Sequence, residues 1–208
     1  MYTPKLYREE DRGKIVDFLR QNEFVTLVTY DGEKPVASHL LVDVIDEGEK
    51  LFVNGHMSRA NPLWKMFEQN AEVLVIFHGP HTYISASWYN HVNVPTWNYQ
   101  SVHIYGKPRL ITDRDQVYTL LKQLMDKHEM GSRYNMETLP PEFVEKEMRG
   151  VMAFQVEVTR IEASYKLSQN RNDDDYWNIV SHLEQRSDEQ SHAVAGAMKR
   201  QRDGSPDG

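Results

Sequence analysis

Residues 55–62, Gly-His-Met-Ser-Arg-Ala-Asn-Pro, combine the groups that hold an anion at a spacing a strand-to-helix turn can deliver. Ser58 offers a hydroxyl and Arg59 a planar fork of donors, and charge-assisted bonds of that kind suit a phosphate. Asn61 followed by Pro62 reads as a helix start, with Asn as the cap and Pro at the first helical position. Free backbone N–H groups would then point toward the same anion. Taken alone, these eight residues read first as a capped turn bearing a surface arginine. A second group, residues 79–89 and 94–99, is dense in aromatic rings and hydroxyls. Trp88, Tyr89, Trp97 and Tyr99 sit among Asn and Pro in turn-like sequence, where large rings point to a ligand or a partner subunit. Residues 166–171, Lys-Leu-Ser-Gln-Asn-Arg, form a third, donor-rich segment, for which a solvated loop is the default reading.

Other chemistries find no foothold. There are nine histidines, but His78 and His81 are separated by Gly79-Pro80 and share no helical face. Neither a carboxylate nor a third histidine completes a metal set, so no metal is expected. Cysteine is absent, which removes thiol nucleophiles and disulfides and suits a reducing compartment. The glycine fingerprints of nucleotide binding and the Gly-x-Ser-x-Gly elbow of serine hydrolases do not occur. A net charge of -7 opposes a phosphate backbone or an anionic membrane. Lys199-Arg200-Gln201-Arg202 reads as a solubilising end, and without a helix-turn-helix direct DNA binding is doubtful. The first ten residues carry no apolar signal core and no run is long enough to span a bilayer, so a cytoplasmic protein is expected.

The elements that must position these groups are mostly strands. Residues 24–30, 35–43, 51–54, 72–77, 82–87 and 101–111 read as strands, with glycine turns at Asp31-Gly32 and Glu47-Gly48. Residues 152–159 alternate apolar and polar, the pattern of a half-buried antiparallel strand. Helices are expected over residues 11–21, 61–69, from about 113, and over 173–184. Many short strands with few helices predict a small barrel with helical additions. The expected organisation is one domain over residues 1–185 and a disordered polar tail over 186–208.

Taken together, residues 55–62, 79–89, 94–106 and 166–171 resemble the successive blocks of the PaiB-type FMN-binding negative transcriptional regulators. These belong to the wider pyridoxamine-phosphate-oxidase-like split-barrel flavoproteins. The resemblance runs from Met1 to about Glu184. It implies a mainly β, antiparallel Greek-key split barrel with peripheral helices, homodimeric, with FMN held at the subunit interface. It assigns Ser58 and Arg59 to the FMN phosphate, within the block that also supplies His56, Met57 and Asn61. Ser38, His39 and Leu40 lie on the strand along the isoalloxazine ring. Trp97, Asn98, Tyr99 and Ser101 approach the flavin from the aromatic segment, and Lys166, Leu167, Ser168 and Gln169 form the flavin-side loop. The sequence departs from the family at Ala86 and Leu41, where relatives commonly have proline, and in a short 90–93 segment. The resemblance implies a flavin-linked regulator of transcription or of a redox process. A flavin-dependent oxidoreductase and a haem-handling protein stand as alternatives; no carboxylate or lysine in the flavin blocks announces itself as an acid or base, and His39, His56 and His103, which could serve, read first as structural histidines.

Overall fold

The structure is a computed structural model and describes residues 1–203. Seven strands dominate: β1 (Arg8–Glu9), β2 (Phe24–Tyr30), β3 (Pro35–Asp46), β4 (Leu51–Ser58), β5 (Val73–Ile84), β6 (Thr96–Ile111) and β7 (Val151–Lys166). Burial alternates along β4, where Leu51, Val53, Gly55 and Met57 are buried and the residues between them are not. That period of two is what a pleated strand with one face in a core requires. Gly32 and Gly48, with φ of +99° and +80°, make the turns of the β2–β3 and β3–β4 hairpins. In the first of these, the Asp31 carboxylate accepts the N–H groups of Glu33 and Lys34, which holds its pKa below the usual value.

The strands follow the order β1-β7-β4-β3-β2-β5-β6, and β6 also pairs with β7. The second pairing closes β2 to β7 into a ring, which removes the open edges that invite aggregation. Register is tight within it: Thr26 faces His39, Val44 faces Val53, and Gly55 faces Phe154. The helices are α1 (Arg12–Gln21), α2 (Arg114–His128), α3 (Pro141–Arg149), α4 (Asp173–Glu184) and α5 (Glu189–Asp203).

Two compact units share these elements, with β5, β6 and β7 running through both. The first comprises residues 1–18, 78–103 and 162–208, and the second residues 19–77 and 104–161. The second unit holds a barrel core of Val25, Leu27, Val42, Val53, Val75, Phe77, Phe154 and Val156. Phe67 meets the edge of Phe154, with ring centroids 5.6 Å apart. A satellite cluster on α2 and α3 buries Val117, Leu120, Leu124, Val144 and Met148. In the first unit, Tyr176, Ile179 and Leu183 of α4 are buried, as are Val194, Ala195, Ala197 and Met198 of α5. The Tyr176 hydroxyl donates to the Met198 carbonyl at 2.6 Å, and burial pushes this phenol up to about 12.

Several expectations need correction. Residues 189–203 are helical rather than a disordered tail, because one face carries small and apolar residues that fill the first unit. The polar average over the segment conceals that face. The remainder of the expected tail, residues 204–208, lies outside the described residues. The expected strands at 72–77 and 82–87 are one strand, which runs through Gly79 and Pro80. The helix expected over 61–69 is a 3₁₀ turn, Pro62–Met66. α3 was not anticipated, although Pro141 occupies the first helical position where proline is favoured.

Candidate functional site

In the second unit, the end of β4 makes a sharp, heavily bonded turn. The Ser58 Oγ accepts from the Ala60 N–H at 3.2 Å, and the Asn61 N–H donates to the Ser58 carbonyl at 2.9 Å. Asn61 caps the following 3₁₀ turn by accepting the Leu63 N–H, and its amide donates to the Ser38 Oγ at 2.8 Å. Ser38 on β3 and the 58–61 turn are thereby one hydrogen-bonded group. Gly55 supplies clearance in the same strand: a Cβ there would stand 2.7 Å from Phe154 Cζ and 3.1 Å from Val42 Cγ1.

Arg59 is held from several sides. Its N–H donates to the Gly150 carbonyl at 2.7 Å, its Nε to the Arg149 carbonyl at 2.9 Å and its Nη2 to the Val151 carbonyl at 3.3 Å. Trp64 Nε1 donates to the Arg59 carbonyl at 3.1 Å. The side chain is thus clamped on the turn between α3 and β7, leaving the Nη1 edge of the fork uncommitted among the described residues. It borders a cavity of about 330 Å³ with Thr112, Arg114, Glu145, Met148, Arg149 and Met152.

The neighbouring expected residues divide by face. Leu40 and Met57 are buried in the barrel core. His39 is exposed; its Nδ1 lies 3.1 Å from the Thr26 hydroxyl, and its ring stacks on Phe24 at 6.1 Å. His56 is partly buried, and among the described residues its Nδ1 has no hydrogen-bond partner although solvent does not reach it. Burial lowers the pKa of that imidazole, because the interior disfavours its cation.

The remaining expected residues lie in the first unit. Asn98 and Ser168 are buried and pair with each other, Asn98 Nδ2 donating to Ser168 Oγ at 2.9 Å and to Met198 Sδ at 3.6 Å. Ser168 has φ of +62°, a left-handed conformation that costs a non-glycine residue strain. Leu167 is core, and Gln169 folds back to accept the Leu167 N–H and donate to the Tyr165 carbonyl. Lys166 donates to Thr96 Oγ1 and lies over the Tyr7 ring at 5.9 Å. Burial and then the nearby Arg171 lower the Lys166 pKa. Ser101 is buried, and the Tyr99 hydroxyl is 3.4 Å from Ser164 Oγ. Trp97 stays 47% exposed, donating from Nε1 to His81 Nδ1 at 3.2 Å. Its ring lies edge-on to Tyr83 at 6.2 Å.

Two contacts of this unit were not legible in the sequence, the first between segments it had singled out separately. Arg171 lies over the Tyr89 ring at 4.7 Å, with its Nε and the Tyr89 hydroxyl buried and unpartnered. Asp175 is 1% exposed and accepts from the Asn90 N–H at 2.8 Å, with His91 Nδ1 3.3 Å away. The legible signal for it was Asn172 three residues earlier, whose side chain caps α4 through the Asp175 N–H. The first unit therefore sets cations against aromatic rings, and the second holds an arginine fork on backbone carbonyls beside a hydrogen-bonded turn. Among the described residues, no group of three or more His, Asp or Glu could hold a metal ion.

Residues 1–160 match the family described as "Putative FMN-binding domain". "Protease synthase and sporulation protein PAI 2" of Bacillus subtilis (strain 168) is 39% identical over 201 residues, 96% of this chain and 97% of that protein. Among solved structures, the flavocytochrome Anf3 from Azotobacter vinelandii superposes with a TM-score of 0.60 at 17% identity, over 82% of this chain and 75% of that one. A FAD and heme binding protein from Mycobacterium smegmatis gives a TM-score of 0.58 at 15% identity, over 81% of this chain and 78% of that one. These two likenesses carry the fold, a mainly antiparallel split barrel with helices.

Proposed function

The chain belongs to the PaiB-type FMN-binding family, and from that membership we propose that it is a cytoplasmic, homodimeric flavin-dependent regulator, anchoring the FMN phosphate at Ser58 and Arg59. The observation that carries the anchor is the clamped fork of Arg59. Two carbonyl bonds fix its direction and leave one edge of donors free, so little side-chain entropy remains to be lost when a phosphate arrives. His56 Nδ1, buried and unpartnered two residues before Ser58, is a second polar atom awaiting a partner.

Ser38, tied to the anchor through Asn61, and the exposed His39 belong to the strand that would run beside the flavin ring. Trp97, Tyr99 and Lys166 would reach the ring from the other copy of the chain. Asn98, Ser168 and Gln169, engaged with their own unit, would hold the shape of that loop instead of touching the cofactor. When bound, FMN supplies hydride or one-electron chemistry. The protein's share is orientation and the exclusion of water.

The regulatory reading draws on a relative named for sporulation that matches nearly the whole chain. With a net charge of -7, an indirect route to transcription fits better than direct contact with DNA. The absorption spectrum of the purified protein tests the flavin reading: it should be yellow, with the two visible bands of an oxidised flavin. A colourless protein that takes up no FMN on titration would remove the basis of the proposal. Steady-state oxidation of a reduced nicotinamide would favour an oxidoreductase over a regulator, and a Soret band on adding haemin would favour a haem-handling protein.

A further inference from the structure

The turn from β7 into α4 gathers more positive charge than its carboxylates answer. Lys166 ends β7 and Arg171 precedes α4, both half-buried. Of the acids that follow, Asp173 pairs with Arg202. Asp175 accepts from the Asn90 N–H and the Asn172 amide, with His91 beside it. Neither Lys166 nor Arg171 has a carboxylate partner among the described residues; the lysine donates to the Thr96 hydroxyl. Burial and then Arg171 itself lower the Lys166 pKa, and no carboxylate pushes the other way. Half-buried cations without a counter-ion are unfavourable.

Two donors beside this charge are also unspent. Arg171 lies over the Tyr89 ring at 4.7 Å, and Tyr89 is 8% exposed. Stacking uses the face of a guanidinium and leaves its N–H groups for a partner in the plane. Arg171 Nε and the Tyr89 hydroxyl are nonetheless buried with no hydrogen-bond partner among the described residues. The Arg171 backbone is fixed as well, its N–H donating to the Ser168 carbonyl at 3.0 Å. A water would satisfy such donors and leave the charge uncompensated. A carboxylate does both, because its two oxygens accept from charged and neutral donors alike. Lys166 in turn lies over the Tyr7 ring at 5.9 Å, so each cation rests on a tyrosine. That setting suits a carboxylate carried on an apolar body.

We propose that Arg171, the Tyr89 hydroxyl and Lys166 bind the carboxylate of a small organic acid. The site lies wholly within the first unit and does not depend on the phosphate anchor at Arg59. Calorimetric titration of the full chain with benzoate, at constant ionic strength, should show one saturable site. The thermal midpoint should rise with the same ligand. Benzamide, nearly the same shape without the charge, should not bind. Tyr89→Phe keeps the ring under Arg171 and removes only the hydroxyl, so it should weaken benzoate about tenfold. Without ligand that variant should melt no lower than the wild type, because the hydroxyl it loses has no partner. Arg171→Gln should weaken benzoate by about tenfold or more, and Arg171→Lys should recover part of the loss.

Benzoate that fails to bind, or binds no better than benzamide, overturns the proposal. So does a Tyr89→Phe chain that melts lower than the wild type without ligand, since the hydroxyl then has a partner within the fold. If FMN and benzoate exclude one another and Arg171→Gln weakens both equally, the charge belongs to the cofactor and the acid site is lost. A colourless chain that takes up no FMN and still binds benzoate would remove the flavin reading and leave this site standing.

Discussion

Two histidines show how burial sets chemistry residue by residue. His56 and His103 each keep a buried Nδ1 without a partner, and burial is the leading cause that lowers both pKa values below the ordinary 6.5. Around His103 the terminal amine of Met1 and His78 push the same way, while Glu162 pushes back. The unfolded chain therefore binds protons that the folded chain refuses, so stability is full above about pH 6.5 and declines as pH falls toward the lowered values. Thermal midpoints measured from about pH 7.5 down to pH 5.5 should fall, and His56→Gln should flatten that slope. An unaltered slope in both His56→Gln and His103→Gln would show that neither group is the cause. At this scale the sequence told residue types well and directions badly. Ser58 and Arg59 read in the sequence as groups suited to an anion, but the Arg59 fork is aimed by carbonyls at 149 and 151, some ninety positions away in the chain. The resemblance places Asn98 and Ser168 at the flavin, and the fold shows what residue types alone do not, that the two side chains bond to each other.

At the scale of elements, α5 is the clearest case of local composition misleading. Residues 186–203 are mostly polar, yet Val194, Ala195, Ala197 and Met198 fall on a single face and are buried. Small residues give that face little hydrophobic signal while allowing close packing. Met198 is its centre: it is 0% exposed, its carbonyl takes the Tyr176 hydroxyl, and its sulfur meets Asn98. Met198→Ala should therefore lower unfolding free energy by about 2–4 kcal/mol, whereas Lys199→Ala, on an exposed pair with Glu184, should cost less than about 1 kcal/mol. Urea denaturation of both variants decides the matter, and equal midpoints would return α5 to the status of a dispensable tail. The strands were read more successfully because alternation is their own evidence, as in β2 and β7. What failed there was continuity: Gly79-Pro80 reads as punctuation, but in β5 it lies inside one strand.

The whole molecule poses the question of what covers its exposed rings. On β2 of the second unit Phe24 is 69% exposed, and in the first unit Trp97, Tyr83, Val92 and Val94 are also open. Rings this large are seldom left to water in a soluble protein unless another surface meets them. A charge of -7 per chain works against self-association, so apolar burial has to outweigh a repulsion that salt screens. Light scattering coupled to gel filtration should return twice the 24.4 kDa of one chain, and raising the salt should hold the dimer at lower protein concentration. If the flavin is shared between copies, dilution should release FMN over the same concentration range in which the dimer dissociates. Trp97→Ser should move both transitions together. A monomer that keeps its FMN through dilution would place the whole site in one chain, and the partner's contribution of Trp97, Tyr99 and Lys166 would have to be abandoned.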